Sequence, residues 1–326
     1  MDERIVPTRI RLEASSACQL RCPSCPTTTG DTKDVVGKGV LSPENFEALL
    51  VANPGLREIE LSNWGEIFVN PRIEEILEIA HRRGVELFCD NGANLNNVRD
   101  SALEAMVKYG LRRLMCSIDG VTQEVYAQYR VRGHVDTVIA NVRRINELKR
   151  LHGSPYPALM WQFIVFGHNE HELPAARALA AELGMKFFPK LSWDSEHSPV
   201  HDEESVMEAT GLPAVTRDGY RKKTGQPYLA GICKQLWLAP QINWDGKVLG
   251  CCRNFWQEFG GNAFVDGLEE VLNGEKISYA RRMLLGAEPP REGIPCTTCE
   301  LYLQRRDDRH WIRIQPVPAT AKAAGA

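Results

Sequence analysis

Nothing in this sequence reads as a membrane anchor or an export signal. No run approaches the ~18–20 consecutive apolar residues that a bilayer span requires. The first residues, Met1-Asp2-Glu3-Arg4, bring acidic charge and no apolar h-region, unlike a secretory leader. An excess of positive charge is lacking too: 39 Lys and Arg stand against 42 Asp and Glu, a net charge of −3. A phosphate backbone finds no basic field over the whole chain, so neither a nucleic acid nor a membrane is an expected partner. The expectation is a cytoplasmic protein. No internal repeat is visible, which argues against a solenoid.

Cysteine, by contrast, is plentiful: ten residues, at 18, 22, 25, 89, 116, 233, 251, 252, 296 and 299. In a reducing cytosol, clustered cysteines are metal ligands more often than disulfides. Eight of the ten fall into two groups, three near residue 20 and five between 233 and 299. Cys89 and Cys116 stand apart and read as core strand residues.

The first two-thirds of the chain alternates short apolar runs with amphipathic stretches. Strands are expected at 9–14, 58–62, 85–89, 111–118, 159–166 and 186–191. Helices fall between them, the first opening at Ser42-Pro43-Glu44, others ending at Gly84, Gly110, near Gly153 and at Gly184. The pattern predicts an α/β fold, a partial (β/α)6 TIM-like barrel, with chemistry at the C-terminal ends of its strands. Residues 1–195 form this unit. Residues 196–230 are polar and without sustained period, a linker or an active-site cover. Asp245-Gly246 between two strand-like runs signals a β-hairpin, and two short helices near 266–273 and 276–285 complete a small C-terminal domain over 231–315. The Ala/Pro-rich tail, 316–326, is expected to be disordered.

Cys18-x3-Cys22-x2-Cys25 occupies the first strand-to-helix loop. Three thiolates on one short loop can hold three irons of a [4Fe–4S] cube and leave the fourth iron open to a small molecule. A zinc site would need a fourth ligand, and no His or Cys lies close in sequence; unrelated buried cysteines are the other alternative.

This spacing resembles the signature of the radical S-adenosylmethionine (SAM) superfamily. The resemblance implies that SAM chelates the open iron and is cleaved reductively to a 5′-deoxyadenosyl radical, which takes a hydrogen atom from substrate. Asn63-Trp64-Gly65-Glu66 resembles the family's Gly-Gly-Glu element, which implies that Gly65 and Glu66 meet the SAM ammonium; Trp64 departs from the usual glycine. Cys89-Asp90-Asn91-Gly92 resembles the strand-three Thr-Asn-Gly segment, with Asn91 as a SAM contact. Ser117-Ile118-Asp119-Gly120, with Tyr126 and Arg130-Val131-Arg132-Gly133 downstream, resembles the strand-four segment. There Ser117 and Asp119 would face SAM, and Arg130 or Arg132 its carboxylate, to which a guanidinium fork is suited. Ser24 stands where many members place an aromatic. The resemblance spans about residues 8–195.

Cys233, Cys251, Cys296 and Cys299 form a second four-thiolate set, which spacing alone assigns equally to zinc or to a second [4Fe–4S] cube. The arrangement resembles the half-size "Twitch" domain of the SPASM/Twitch subgroup, which implies one auxiliary cluster and hence two [4Fe–4S] clusters in all. Cys252 is left over. Neighbours along a strand face opposite ways, so if Cys251 turns to the cluster, Cys252 is free to enter the cavity between the domains and donate hydrogen there. An inert buried cysteine, or a register slip that exchanges the two, are the alternatives.

Three reactions suit this machinery: epimerisation with Cys252 as hydrogen donor, dehydrogenation of a secondary alcohol as in the aminocyclitol dehydrogenases the chain resembles, or modification of a ribosomal peptide. The first cysteine lies only 18 residues in, which leaves no room for a peptide-recognition domain ahead of it and favours a small polar substrate such as an amino sugar or aminocyclitol, in antibiotic biosynthesis. Lys190, Asp194, Glu196, His197 and His201 are candidates to bind it or supply a base. The resemblance also implies an electron donor such as a flavodoxin or ferredoxin. A non-catalytic, zinc-stabilised scaffold is the expectation from another class.

Overall fold

The computed structural model describes residues 4–314; the expected disordered tail lies outside the described residues. Six parallel strands carry the first part: β1 (Arg9–Leu12), β2 (Glu58–Glu60), β3 (Glu86–Ala93), β4 (Arg113–Ser117), β5 (Ala158–Val165) and β6 (Lys186–Leu191). They pair in sequence order, as right-handed β–α–β crossovers require, and make a partial TIM-like barrel. Helices Pro43–Ala52, Ile73–Arg83, Asp100–Lys108, Val135–His152 and Leu173–Glu182 bury their apolar stripes against the sheet. Ser42 caps the first of these, its side chain accepting from the Asn45 N–H.

The sheet does not stop at β1. A seventh strand, β7 (Gln241–Ile242), lies parallel to β1, and β8 (Val248–Gly250) folds back on it through the Asp245-Gly246 turn. The hairpin falls short of the strand-like runs at 237–244 and 247–252 on both sides. Residues Gln235–Leu238 make a helical turn, and Gly250, at φ +77°, ends β8 before either cysteine. Strand alternation therefore does not orient Cys251 and Cys252; the turn does.

Residues 196–230 are more ordered than their composition predicts. They hold helices Glu203–Thr210 and Arg217–Thr224, capped by Asp202 and Thr216 side chains and closed by Gly211 and Gly225 in the left-handed region. These helices bury almost nothing, Val206 alone in the first and no residue in the second, so they leave no hydrophobic period to read. One apolar core runs from Ile10 and Trp161 of the barrel to Leu236, Val248 and Met283 beyond the hairpin. It crosses the expected boundary near 230 without a break.

Candidate active site at the strand ends

The chain leaves β1 into the loop that carries Cys18, Cys22 and Cys25. Cys25 closes a turn onto Cys22 O (3.1 Å) and caps the short helix Pro26–Thr29 with its own carbonyl. Cys22 is 7% exposed and packs with Leu20, Tyr129 and Phe166, with Cys18 and Cys25 at the edge of the same cluster. Two donors reach the sulfurs: Arg130 Nη1 to Cys22 Sγ (3.7 Å) and Asn94 Nδ2 to Cys18 Sγ (3.8 Å). Burial, together with repulsion from Glu66 and the other thiols, pushes Cys18 up to about 12, and burial raises Cys22 as well. Free thiolates are disfavoured in such a pocket, whereas iron deprotonates its ligands outright. The donor set fits three corners of a cube.

The loop after β2 presses onto this one. Glu66 N–H donates to Ala17 O (2.8 Å), and a Cβ on Gly65 would lie 2.1 Å from Ser15 O and 2.7 Å from Ala17 O, so only glycine fits. Both oxygens of the buried Glu66 carboxylate accept backbone N–H groups, from Phe68 (3.3 Å) and Asn94 (2.6 Å). That side chain organises the loops, and on the same loop Trp64 O accepts from Thr27 Oγ1 (2.5 Å). Below it lies a residue that sequence reading missed. Glu13, fully buried, accepts from Trp64 N–H (3.0 Å) and Gly65 N–H (3.3 Å), and burial lifts its carboxyl to about 8. The only signal for it was charge at alternate positions of the first strand, Arg9, Arg11 and Glu13.

Asn91 donates to Asn63 Oδ1 (2.9 Å). Ser117 Oγ accepts from Gln162 Nε2 (3.3 Å) and stands where a side chain on Gly92 would be, 2.3 Å from its Cβ position. Asp119 is fully buried and accepts from Arg130 Nε (2.6 Å). Of the two arginines, the structure brings only Arg130 to the cysteine loop; Arg132 is exposed, in a left-handed turn at φ +72°.

The second thiol group draws on three separate segments, one of which supplies both Cys296 and Cys299. Cys233 sits in the turn Ile232–Lys234, Cys251 follows β8, Cys296 lies in the turn Pro295–Thr298, and Cys299 caps helix Glu300–Asp308. Cys296 feels the charge of Cys251, Cys299 and Cys233, and Cys251 that of Cys252 first and then of Cys233 and Cys299, so these thiols lie in one neighbourhood. Burial raises Cys233, Cys251 and Cys296, with Arg305 opposing the rise at Cys233. Among the described residues no three Cys, His, Asp or Glu side chains close around a single ion.

Cys252 goes elsewhere. Its N–H donates to Gln235 Oε1 (2.8 Å) and its carbonyl accepts from Asn63 Nδ2 (3.2 Å). It lines a cavity of about 280 Å³ between the strand ends and the C-terminal segment, with Trp64, Asn91, Lys190, Arg217 and Phe255. Lys190 Nζ donates to Gln162 Oε1 (3.1 Å), and burial with Arg217 nearby brings it down to about 8. Asp194 and His197 are not in this cavity. Asp194 accepts from Ser24 Oγ (2.6 Å), which holds its carboxyl below the ordinary value, and His197 packs on Tyr129 and Phe166. Both line a separate hollow of about 90 Å³, while Glu196 and His201 are exposed. Arg217 and Arg253, which do line the cavity, lay in stretches with no readable period.

Residues 12–178 match the family model of the radical SAM superfamily, and residues 233–300 that of the SPASM iron-sulfur cluster-binding domain. GTP 3′,8-cyclase of Chlorobaculum tepidum is 30% identical over 182 residues, 53% of this chain and 50% of that protein. The same enzyme of Paenarthrobacter nicotinovorans is 26% identical over 198 residues, 58% of this chain and 53% of that protein. The chain thus spans about half the length of these curated relatives. Among solved structures, Streptococcus suis SuiB bound to S-adenosylmethionine superposes with a TM-score of 0.64 at 13% identity, covering 91% of this chain and 71% of that one. The anSMEcpe enzyme with bound AdoMet gives 0.57 at 14%, covering 91% and 87%. BtrN in complex with AdoMet and 2-DOIA gives 0.50 at 12%, covering 92% and 94%. At these identities the likeness is one of fold. Among the described residues no helix is long and apolar enough to cross a membrane.

Proposed function

This chain belongs to the radical SAM superfamily, and we propose that it inverts a carbon centre of a small polar substrate seated in the 280 Å³ cavity. Its cofactors are a [4Fe–4S] cluster with SAM, and auxiliary iron–sulfur at the SPASM domain. It is an enzyme, so the scaffold alternative falls away. With these groups bound, reductive cleavage of SAM supplies the radical that removes a hydrogen atom from substrate.

Cys18, Cys22 and Cys25 would hold the first cluster, and Cys233, Cys251, Cys296 and Cys299 a single auxiliary one. The backbone of 64–66, with Asn91, Ser117, Asp119 and Arg130, would line the SAM site, with the buried Arg130 favoured over the exposed Arg132 for the SAM carboxylate. The observation that carries the reading is Cys252, a thiol in the wall of the cavity yet outside the group of four. Its S–H bond gives the hydrogen atom back to the substrate carbon from the face opposite to abstraction. An electron and a proton from an external donor, of the flavodoxin or ferredoxin kind, then restore the thiol.

One observation favours dehydrogenation instead. Lys190, held near 8, is suited to take a hydroxyl proton in the same cavity. The cavity's size supports a single ring over a peptide, although SuiB has been seen bound to a precursor peptide. The test is turnover in deuterated water with excess SAM over candidate substrates. Deuterium on an inverted carbon, lost in Cys252→Ala while SAM cleavage persists, is the result expected. An oxidised product without that label selects dehydrogenation, and inversion that survives in Cys252→Ala removes the thiol-donor step.

A further inference from the structure

The walls of the Cys252 cavity are unbalanced in charge. Its lining holds three cationic side chains, Lys190, Arg217 and Arg253, and no aspartate or glutamate. Arg253 is already engaged, donating to Glu300 (2.8 Å). Among the described residues neither of the other two makes a salt bridge, although Asp119 acts on Lys190 and Glu300 on Arg217 from further off. Lys190 donates only to the neutral Gln162 amide. Arg217 donates from Nη2 to Leu191 O (3.3 Å) and lies over the Tyr228 ring (5.3 Å). Its Nε is buried without an acceptor, and so is Nε1 of Trp64, another lining residue. Those two atoms are themselves closed to solvent, so it is the cationic lining without a carboxylate that asks for a ligand rich in acceptors.

Resting on the reading that this cavity receives the substrate, we infer that the substrate carries an oxyanion, a carboxylate or a phosphate, which Arg217 and Lys190 bind. A guanidinium offers such a group two parallel N–H donors, and a nearby ammonium adds a point charge. Burial, with the like charges of Arg253 and Arg130 nearby, brings Arg217 down to about 10 and Lys190 down to about 8. An amine-bearing sugar, the substrate that the sequence suggests, would place a third positive charge among them. The volume of about 280 Å³ equals roughly nine waters, room for one ring and its acid group. Trp64, Trp193 and Phe255 supply apolar faces for the ring. Arg217 opens a helix of the 196–230 segment, so the expected cover contributes the group that selects the substrate.

The test uses the reconstituted, SAM-loaded protein and four matched pyranoses: glucuronate, glucose 6-phosphate, glucosamine and glucose. Calorimetric titration is expected to give at least one of the two anions an affinity about tenfold or more above glucosamine and glucose. Which anion it is tells carboxylate from phosphate. Arg217→Met is expected to erase that preference, and Lys190→Gln to reduce it, so that either variant serves if the other fails to fold. The inference is overturned if glucosamine or glucose binds as tightly as both anions, or if neither anion binds at millimolar concentration. It is equally overturned if the folded variants keep the preference, or if Arg217→Met weakens only SAM itself. Cleavage of SAM to 5′-deoxyadenosine by the unaltered protein without substrate is followed in parallel. Its absence would count against the radical reaction and leave the charge preference to stand or fall by itself.

Discussion

Arg130 holds Asp119 through a 2.6 Å Nε–Oδ2 contact, with Asp119 sealed from solvent and the Arg130 side chain 12% exposed. The other Asp119 oxygen accepts the Ile164 N–H (2.7 Å), while Arg130 Nη1 reaches Cys22 Sγ (3.7 Å). One ion pair thus ties β4, β5 and the cysteine loop together. Burial raises the Asp119 carboxyl and the guanidinium opposes the rise. Asp119→Ala strands a buried cation, so a loss of about 3–5 kcal/mol is expected in urea denaturation, with less iron retained after reconstitution. A variant as stable as the parent would show the pair to be dispensable.

Glu13 makes stability depend on pH. Its carboxyl stands near 8 in the folded chain because of burial, against 4.5 for an ordinary glutamate. Between those values the folded state holds a proton that the unfolded state has released. Stability from this group is full below about pH 4.5 and is lost as pH rises through about 8, with a slope of up to ~1.4 kcal/mol per pH unit. Denaturation midpoints measured across that range should fall with rising pH, and Glu13→Gln should flatten the fall. A parallel pH profile in the variant would assign the dependence to other groups.

Gly65→Ala tests the contact between the two loops. The added methyl would meet Ser15 O, the Ser16 carbonyl carbon and Ala17 O at 2.1, 2.6 and 2.7 Å, all backbone atoms that cannot rotate away. A stability loss of about 1–3 kcal/mol follows from overpacking, and reconstituted protein should cleave SAM at a fraction of the parent rate. Parent-like cleavage would mean that the loops separate without harm.

The two thiol groups should lose iron independently. Cys296→Ala is expected to lower the iron content from about eight to about four per chain, the loss of one cube, with uncoupled SAM cleavage retained in part. Cys252→Ala should keep all of it, because its thiol lines the cavity rather than the group of four. Iron assay and visible absorption check both, and a halved content in Cys252→Ala would exchange the roles of Cys251 and Cys252.

Covalent spacing and periodic burial are properties of the chain itself, so they could be read without coordinates. Three cysteines within eight residues sit on one loop in any fold that has the loop. The helices of the barrel carry apolar stripes because each packs on the sheet. Helices Glu203–Thr210 and Arg217–Thr224 escaped notice because they bury so little.

The amino-acid order by itself determined the strand–helix alternation, the loop with Cys18, Cys22 and Cys25, and the set of cysteines available for a second site. Tertiary structure decided which side chains share a space. It sent Cys252 and Lys190 to one cavity and Asp194 and His197 to another, brought Arg130 but not Arg132 to the cysteines, and set Arg217 with Lys190 in a lining that holds no carboxylate. These are contacts between segments far apart along the chain, fixed by the packing of the shared core, and no local pattern encodes them.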